Sequence, residues 1–105
     1  MLFIETKRFT RLLDDFLSDD SYRRLQSSLM QNPDAGALVP GSGGVRKLRW
    51  AASGTGKRGG VRVIYVWKHS KQEIWMLTIY GKADQATIPA HTLKRIAEAI
   101  DDETS

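Results

Sequence analysis

The sequence predicts an α+β domain: a β-α-α start, then a mainly antiparallel sheet of three or four strands, then a C-terminal helix. Two observations carry that prediction. Apolar residues recur at helical spacing up to Gln31, alternate with polar ones after Gly36, and return to helical spacing beyond Pro89. The chain is 105 residues long with 41% hydrophobic and 27% charged residues, which suits one folded domain over 1–105 rather than a disordered chain.

Leu2 to Glu5 is a short apolar run suited to an edge strand. From Lys7 to Leu17 the residues Phe9, Leu12, Leu13, Phe16 and Leu17 form one helical stripe. Ser18 precedes Asp19 and Asp20, an N-cap followed by an acidic first turn that the helix dipole favours. The second helix therefore runs from Asp19 to Gln31, with Tyr22, Leu25, Leu29 and Met30 on one side, and Asn32-Pro33 stops it. These two helices are expected to form a hairpin. Three strands follow at Val45 to Ala51, Val61 to Lys68 and Glu73 to Tyr80, the last two joined by His69-Ser70-Lys71-Gln72. Pro89 to Ile100 closes the chain as a helix with Leu93, Ile96, Ala97 and Ile100 on one face. The helices are expected to cover one face of the sheet and leave the other to solvent.

Charge is distributed unevenly. Residues 1–40 carry a net −1 and residues 83–105 a net −3, whereas residues 41–82 hold nine Lys/Arg against Glu73 alone, a net +8. Such an asymmetry is the electrostatic footprint expected for a polyanion, above all the phosphate backbone of a nucleic acid. Seven of the nine glycines fall between 41 and 60, where they can serve turns or bring backbone N–H groups close to a phosphate. A nucleotide-binding phosphate loop is excluded: a motif ending at Gly56-Lys57 would need glycine where Ala51 stands and Ser or Thr where Arg58 stands.

Strand parity sorts the basic residues, because residues two apart share a face. On the first strand Lys47 and Arg49 oppose Arg46, Leu48 and Trp50, and the Leu48–Trp50 side is the better core. Arg62 is the single charge within an otherwise apolar stretch of the second strand. Lys47, Arg49, Arg62, Tyr80 and Lys82 are thus expected on one surface, with Lys57 and Arg58 added from the loop at 51–60. Trp50, Trp67 and Trp75 could stack on bases, but Trp67 and Trp75 share parity with aliphatic residues and read as core.

The chemistry open to such a face is narrow. With no cysteine and two histidines, His69 and His91, the chain offers no thiolate or histidine metal cage, and the basic segment has too few carboxylates for a two-metal nuclease. No cofactor is expected. What remains is metal-free phosphodiester cleavage, in which a ribose 2′-hydroxyl attacks the neighbouring phosphate and cations stabilise the charge on its oxygens. That route requires RNA and a base, and a lysine or tyrosine with a free pKa of roughly 10 serves only if its surroundings shift it. No apolar run approaches the ~18 residues of a membrane span, and the start MLFIETKRFT lacks the order of a signal peptide. A cytoplasmic location without membrane contact is therefore expected.

The runs GSGGVRKLRW, GKRGGVRVIYVW and LTIYGKAD, behind the β-α-α start, resemble the RelE/HigB family of bacterial toxins, most closely its HigB branch, over nearly the whole chain. The resemblance implies a type II toxin that enters the ribosomal A site beside 16S rRNA and cuts mRNA there as a metal-independent endoribonuclease, leaving a 2′,3′-cyclic phosphate. It also implies neutralisation by a helix-turn-helix antitoxin from the same operon. By the same resemblance Lys47 and Arg49 fall on paired basic strand residues and Arg62 on a phosphate-stabilising arginine, while Lys57, Tyr80 and Lys82 match positions of the HigB branch. Arg62, Lys57, Tyr80 and Lys82 are then the catalytic candidates, and Lys47, Arg49, Arg46 and Arg58 the RNA-binding ones. Ala83 stands where RelE has a further arginine, and the C-terminal tyrosine of RelE and the C-terminal His-Tyr of other relatives have no counterpart, so Lys57, Tyr80 and Lys82 compete as general base. Other readings of the same face are a ParE-type inhibitor of DNA gyrase and a non-catalytic RNA-binding module.

Overall fold

The computed structural model describes residues 1–51, 60–81 and 88–104, with side chains through Ile100. Strand β1 (Leu2–Glu5) leads into helices α1 (Lys7–Phe16) and α2 (Asp19–Gln31). Strands β2 (Ala37–Leu38), β3 (Val45–Trp50), β4 (Val61–Lys68) and β5 (Glu73–Gly81) follow, and helix α3 (Ala90–Thr104) ends the chain. The expected elements are all present, three with the expected bounds and the others within four residues of them. β2, two residues long, is an addition that alternation could not reveal.

The five strands form one sheet in the order β1-β5-β4-β3-β2. β1 runs parallel to β5, and every other pairing is antiparallel. A 3-10 turn at His69–Lys71 links β4 to β5, with Gln72 in the left-handed region at φ 55. At the other end of β4, Gly60 has φ +67, and a Cβ there would stand 2.1 Å from the Trp50 carbonyl oxygen, so this corner admits only glycine. Among the described residues no helix is long and apolar enough to cross a membrane.

The expectation that one face stays open is corrected by the structure. α1 and α2 cover one face, burying Phe9, Leu17, Leu25 and Leu29 against Val61, Val63, Tyr65, Ile74, Met76 and Ile79. α3 crosses the other and buries Leu93, Ala97 and Ile100 against Val45, Ile64, Val66 and Leu77. The reason lies in the composition of β4. Ile64 and Val66 oppose Val63 and Tyr65, so the strand is apolar on both faces and needs two covers. α3 supplies the second, through Leu93, Ala97 and Ile100.

Helix starts are set by side-chain caps. Ser18 accepts from the Ser21 N–H at 3.1 Å, as its place in the sequence predicts. Thr6 accepts from the Phe9 N–H at 3.1 Å and, through the same hydroxyl, donates to the Leu77 carbonyl at 2.8 Å. That second bond matters because β5 carries an irregularity there: Ile64 pairs with Thr78 and Tyr65 with Met76, leaving Leu77 without a partner on β4. The Thr6 N–H also donates to the Met76 carbonyl (3.1 Å), and Arg8 Nε donates to Thr78 Oγ1 (3.1 Å). The start of α1 thus satisfies the polar groups that the bulge displaces.

Thr6→Val keeps the β-branch but removes both the cap and the bond to Leu77. It should destabilise the protein by about 1–2 kcal/mol, read as a lower urea midpoint at unchanged slope.

Candidate functional site

The register across the sheet brings three predicted residues into one row. Arg49 on β3 lies directly opposite Arg62 on β4, and Arg62 lies directly opposite Tyr80 on β5. Adjacent positions in such a row are about 4.5–5.5 Å apart. The next row inward is Lys47, Ile64 and Thr78. Lys47 and Arg49 are exposed, Arg62 and Tyr80 half-buried. Neither Lys47 nor Arg49 has an ion-pair partner among the described residues. Arg49, Arg62 and Tyr80, like Lys47 and Ile64, lie on the sheet face that α3 packs against.

Tyr80 reaches this face because of the bulge. Strict alternation along β5 would place Tyr80 with Ile74 and Met76, under α1 and α2. With Leu77 unpaired the phase shifts by one. Ile79 joins Ile74 and Met76 in the first core, and Tyr80 packs with Trp75 and Leu77 on the face that carries Arg62.

Burial raises the Tyr80 hydroxyl above its ordinary pKa near 10, and the nearby Arg62 guanidinium offsets part of that rise. The rise favours the neutral phenol, whose hydroxyl can donate a proton or accept a hydrogen bond. The other two tyrosines are also raised, chiefly by burial: Tyr22, whose hydroxyl donates to Glu5 Oε2 at 2.8 Å, and Tyr65, whose rise is opposed by the Gly36 N–H and by Arg46. The Tyr65 hydroxyl donates to the Pro33 carbonyl (2.8 Å) and accepts from the Gly36 N–H (2.9 Å), tying down the loop between α2 and β2.

Other candidate residues are placed elsewhere. Arg46 pairs with Tyr65 on the opposite face and donates to the carbonyls of Asp34 (3.2 Å) and Gly36 (2.7 Å). Lys57, Arg58 and Lys82 lie outside the described residues. The tryptophans are set into the cores: Trp50 and Trp67 pack against the first, Trp75 against the second, and Trp50 Nε1 donates to Ser21 Oγ at 3.2 Å. Beside the rows, Val39, Lys47, Ile64, Tyr80, Ile88 and Leu93 line a pocket of about 50 Å³. Its apolar walls come from β2's end, β4 and the start of α3. No single segment could have announced them, although Ile88 just ahead of Pro89 was an apolar residue without a role.

Two solved structures share this architecture. The Escherichia coli toxin RelE in its free state, in a form with two arginines replaced by alanine, aligns at a TM-score of 0.60 over 91% of this chain and 95% of its own, with 13% identity. The chain has a RelE-like fold. The intact E. coli RelBE toxin–antitoxin complex contains a chain that aligns at a TM-score of 0.56 over 80% of this chain and 98% of that one, with 17% identity. No family model matches the sequence. On this RelE-like frame the Arg49–Arg62 pair breaks a local rule, since like charges directly opposite each other across a sheet destabilise it.

Two expectations follow from this geometry. Arg49→Gln should raise stability by about 0.2–1 kcal/mol at low ionic strength, and the gain should shrink in high salt, as urea midpoints at both ionic strengths will reveal. The folded states of all three tyrosines favour the neutral phenol, so their contribution to stability is complete below about pH 10 and is lost as pH rises through the raised folded values. An ultraviolet titration should therefore show less phenolate in the folded protein near pH 10 than in urea; equal phenolate absorbance in the two states would contradict it.

Proposed function

We propose that this protein is the toxin of a type II toxin–antitoxin pair of the RelE/HigB kind, cutting mRNA in the ribosomal A site without a metal ion. The observation that carries the reading is the Arg49–Arg62–Tyr80 row beside Lys47, on a fold shared with a toxin. In this reading the row receives one phosphate of the RNA. The ribose 2′-oxygen attacks phosphorus and the O2′–P bond forms as the P–O5′ bond breaks, leaving a 2′,3′-cyclic phosphate and a 5′-hydroxyl. Arg49 and Arg62 neutralise the charge that grows on the non-bridging oxygens. Tyr80, held neutral, gives its proton to the departing 5′-oxygen. The proton of the 2′-hydroxyl goes to Lys57 or Lys82, the lysines that match positions of the HigB branch. Lys47 and Arg58 hold flanking phosphates, and Arg46 supports the site through the 34–36 loop.

Among the described residues no group of three or more His, Cys, Asp or Glu is placed to hold a metal, so the proposal relies on the donors this face does present. The partner class follows from the RelBE neighbour, a toxin–antitoxin complex: an antitoxin, proposed as a helix-turn-helix protein from the same operon, that masks the basic face. The protein would then act in the cytoplasm, against mRNA and beside 16S rRNA.

Arg62→Ala should lower the cleavage rate by about 10²–10³-fold while the protein remains folded, measured as 2′,3′-cyclic ends on mRNA programmed into ribosomes and as growth after induction. Unchanged cleavage by the variant overturns the role of Arg62. Intact mRNA with inhibited DNA supercoiling would instead assign the protein to gyrase.

A further inference from the structure

The pocket beside the row has a feature that phosphate binding leaves unused. Its floor is Ile64, 2% exposed, and its walls are Val39, Ile88 and Leu93, all aliphatic. Lys47 and Tyr80 are the two lining residues that carry polar groups. Four aliphatic side chains give a water among them few of the partners it needs. A flat group with an apolar face and a hydrogen-bonding edge fits better.

Register says which flat group. Arg49, Arg62 and Tyr80 form one row, and Lys47 and Ile64 lie two residues further along β3 and β4, a step of about 6.6–6.8 Å. A nucleotide whose phosphate lies on the first row can extend its base toward the second, onto Ile64. There Lys47, whose ammonium carries three donors, can serve a ring carbonyl as well as a flanking phosphate. At about 50 Å³ the pocket admits the edge of one six-membered ring more readily than a fused pair.

We infer that the pocket walled by Val39, Ile64, Ile88 and Leu93 seats the base of the nucleotide whose phosphate lies on the Arg49–Arg62 row, and that it favours pyrimidines. This rests on the RNA-cleaving reading of the face and adds a base-contacting site to it. Phosphate contacts position a strand without reading it, whereas a pocket of limited size discriminates among bases.

The test is binding of three 5′-fluorescein hexamers to the full chain by anisotropy at low salt: hexauridylate, hexaadenylate, and a base-free ribose-phosphate hexamer of the same charge. Hexauridylate should bind at least about fivefold more tightly than the base-free chain, the lower range of what one base contact contributes, with hexaadenylate between them. Val39→Phe, which fills the pocket mouth, should bring hexauridylate close to the base-free affinity; Ile88→Phe serves the same purpose if the first variant does not fold. Equal affinities for hexauridylate and the base-free hexamer overturn the pocket assignment, and if both then bind more weakly in Arg62→Ala the RNA-binding face survives. Tighter binding of hexaadenylate overturns the ring-size preference. Failure of every hexamer to bind at low salt overturns the pocket assignment, while the cleavage reading stands or falls separately on cyclic ends from mRNA programmed into ribosomes.

Discussion

The candidate site depends on one irregularity, the unpaired Leu77 on β5. Without it Tyr80 would point into the core under α1 and α2 and Ile79 toward the basic face. An extra residue in a strand leaves backbone groups that the ladder no longer satisfies. Here the start of α1 takes them: Thr6 and Arg8 hold Met76, Leu77 and Thr78 along the edge where β1 ends. A threonine near the N-terminus thereby sets which face a tyrosine seventy-four residues later presents. Helix cap and strand bulge are one device.

A row of like charges needs a stiff support. Arg49 and Arg62 repel across β3 and β4, and the repulsion is borne by packing on both sides of the sheet. Val61, Val63 and Tyr65 bury into one core and Ile64 and Val66 into the other, so β4 is fixed between two layers. α3 packs over Val45, Ile64, Val66 and Leu77, Tyr80 packs against the same core, and Leu93 borders the pocket beside Lys47. The same burial that holds Tyr80 keeps its hydroxyl neutral, so packing and acid strength have one cause.

Local pattern was enough for much of this. The caps at Ser18 and the stop at Asn32-Pro33, the alternation of β3 and β4, and the helical return after Pro89 all appear as read, because each rests on interactions within a few residues. The convergence of Lys47, Arg49 and Arg62 was legible too, since neither strand is interrupted before those positions. Tyr80 reached the expected face by a route parity does not describe. Arg46 was a basic residue among basic residues until the fold gave it two carbonyls to hold.

The sequence by itself determined that this is a small α+β domain with a concentrated basic segment, because charge is counted and periodicity is local. Tertiary structure alone decided the parallel pairing of β1 with β5, the second helical cover, the phase of β5 beyond Leu77, and the aliphatic pocket beside Lys47. Each of these depends on residues far apart in the chain meeting across the sheet, and such meetings leave no periodic trace in the segments that take part.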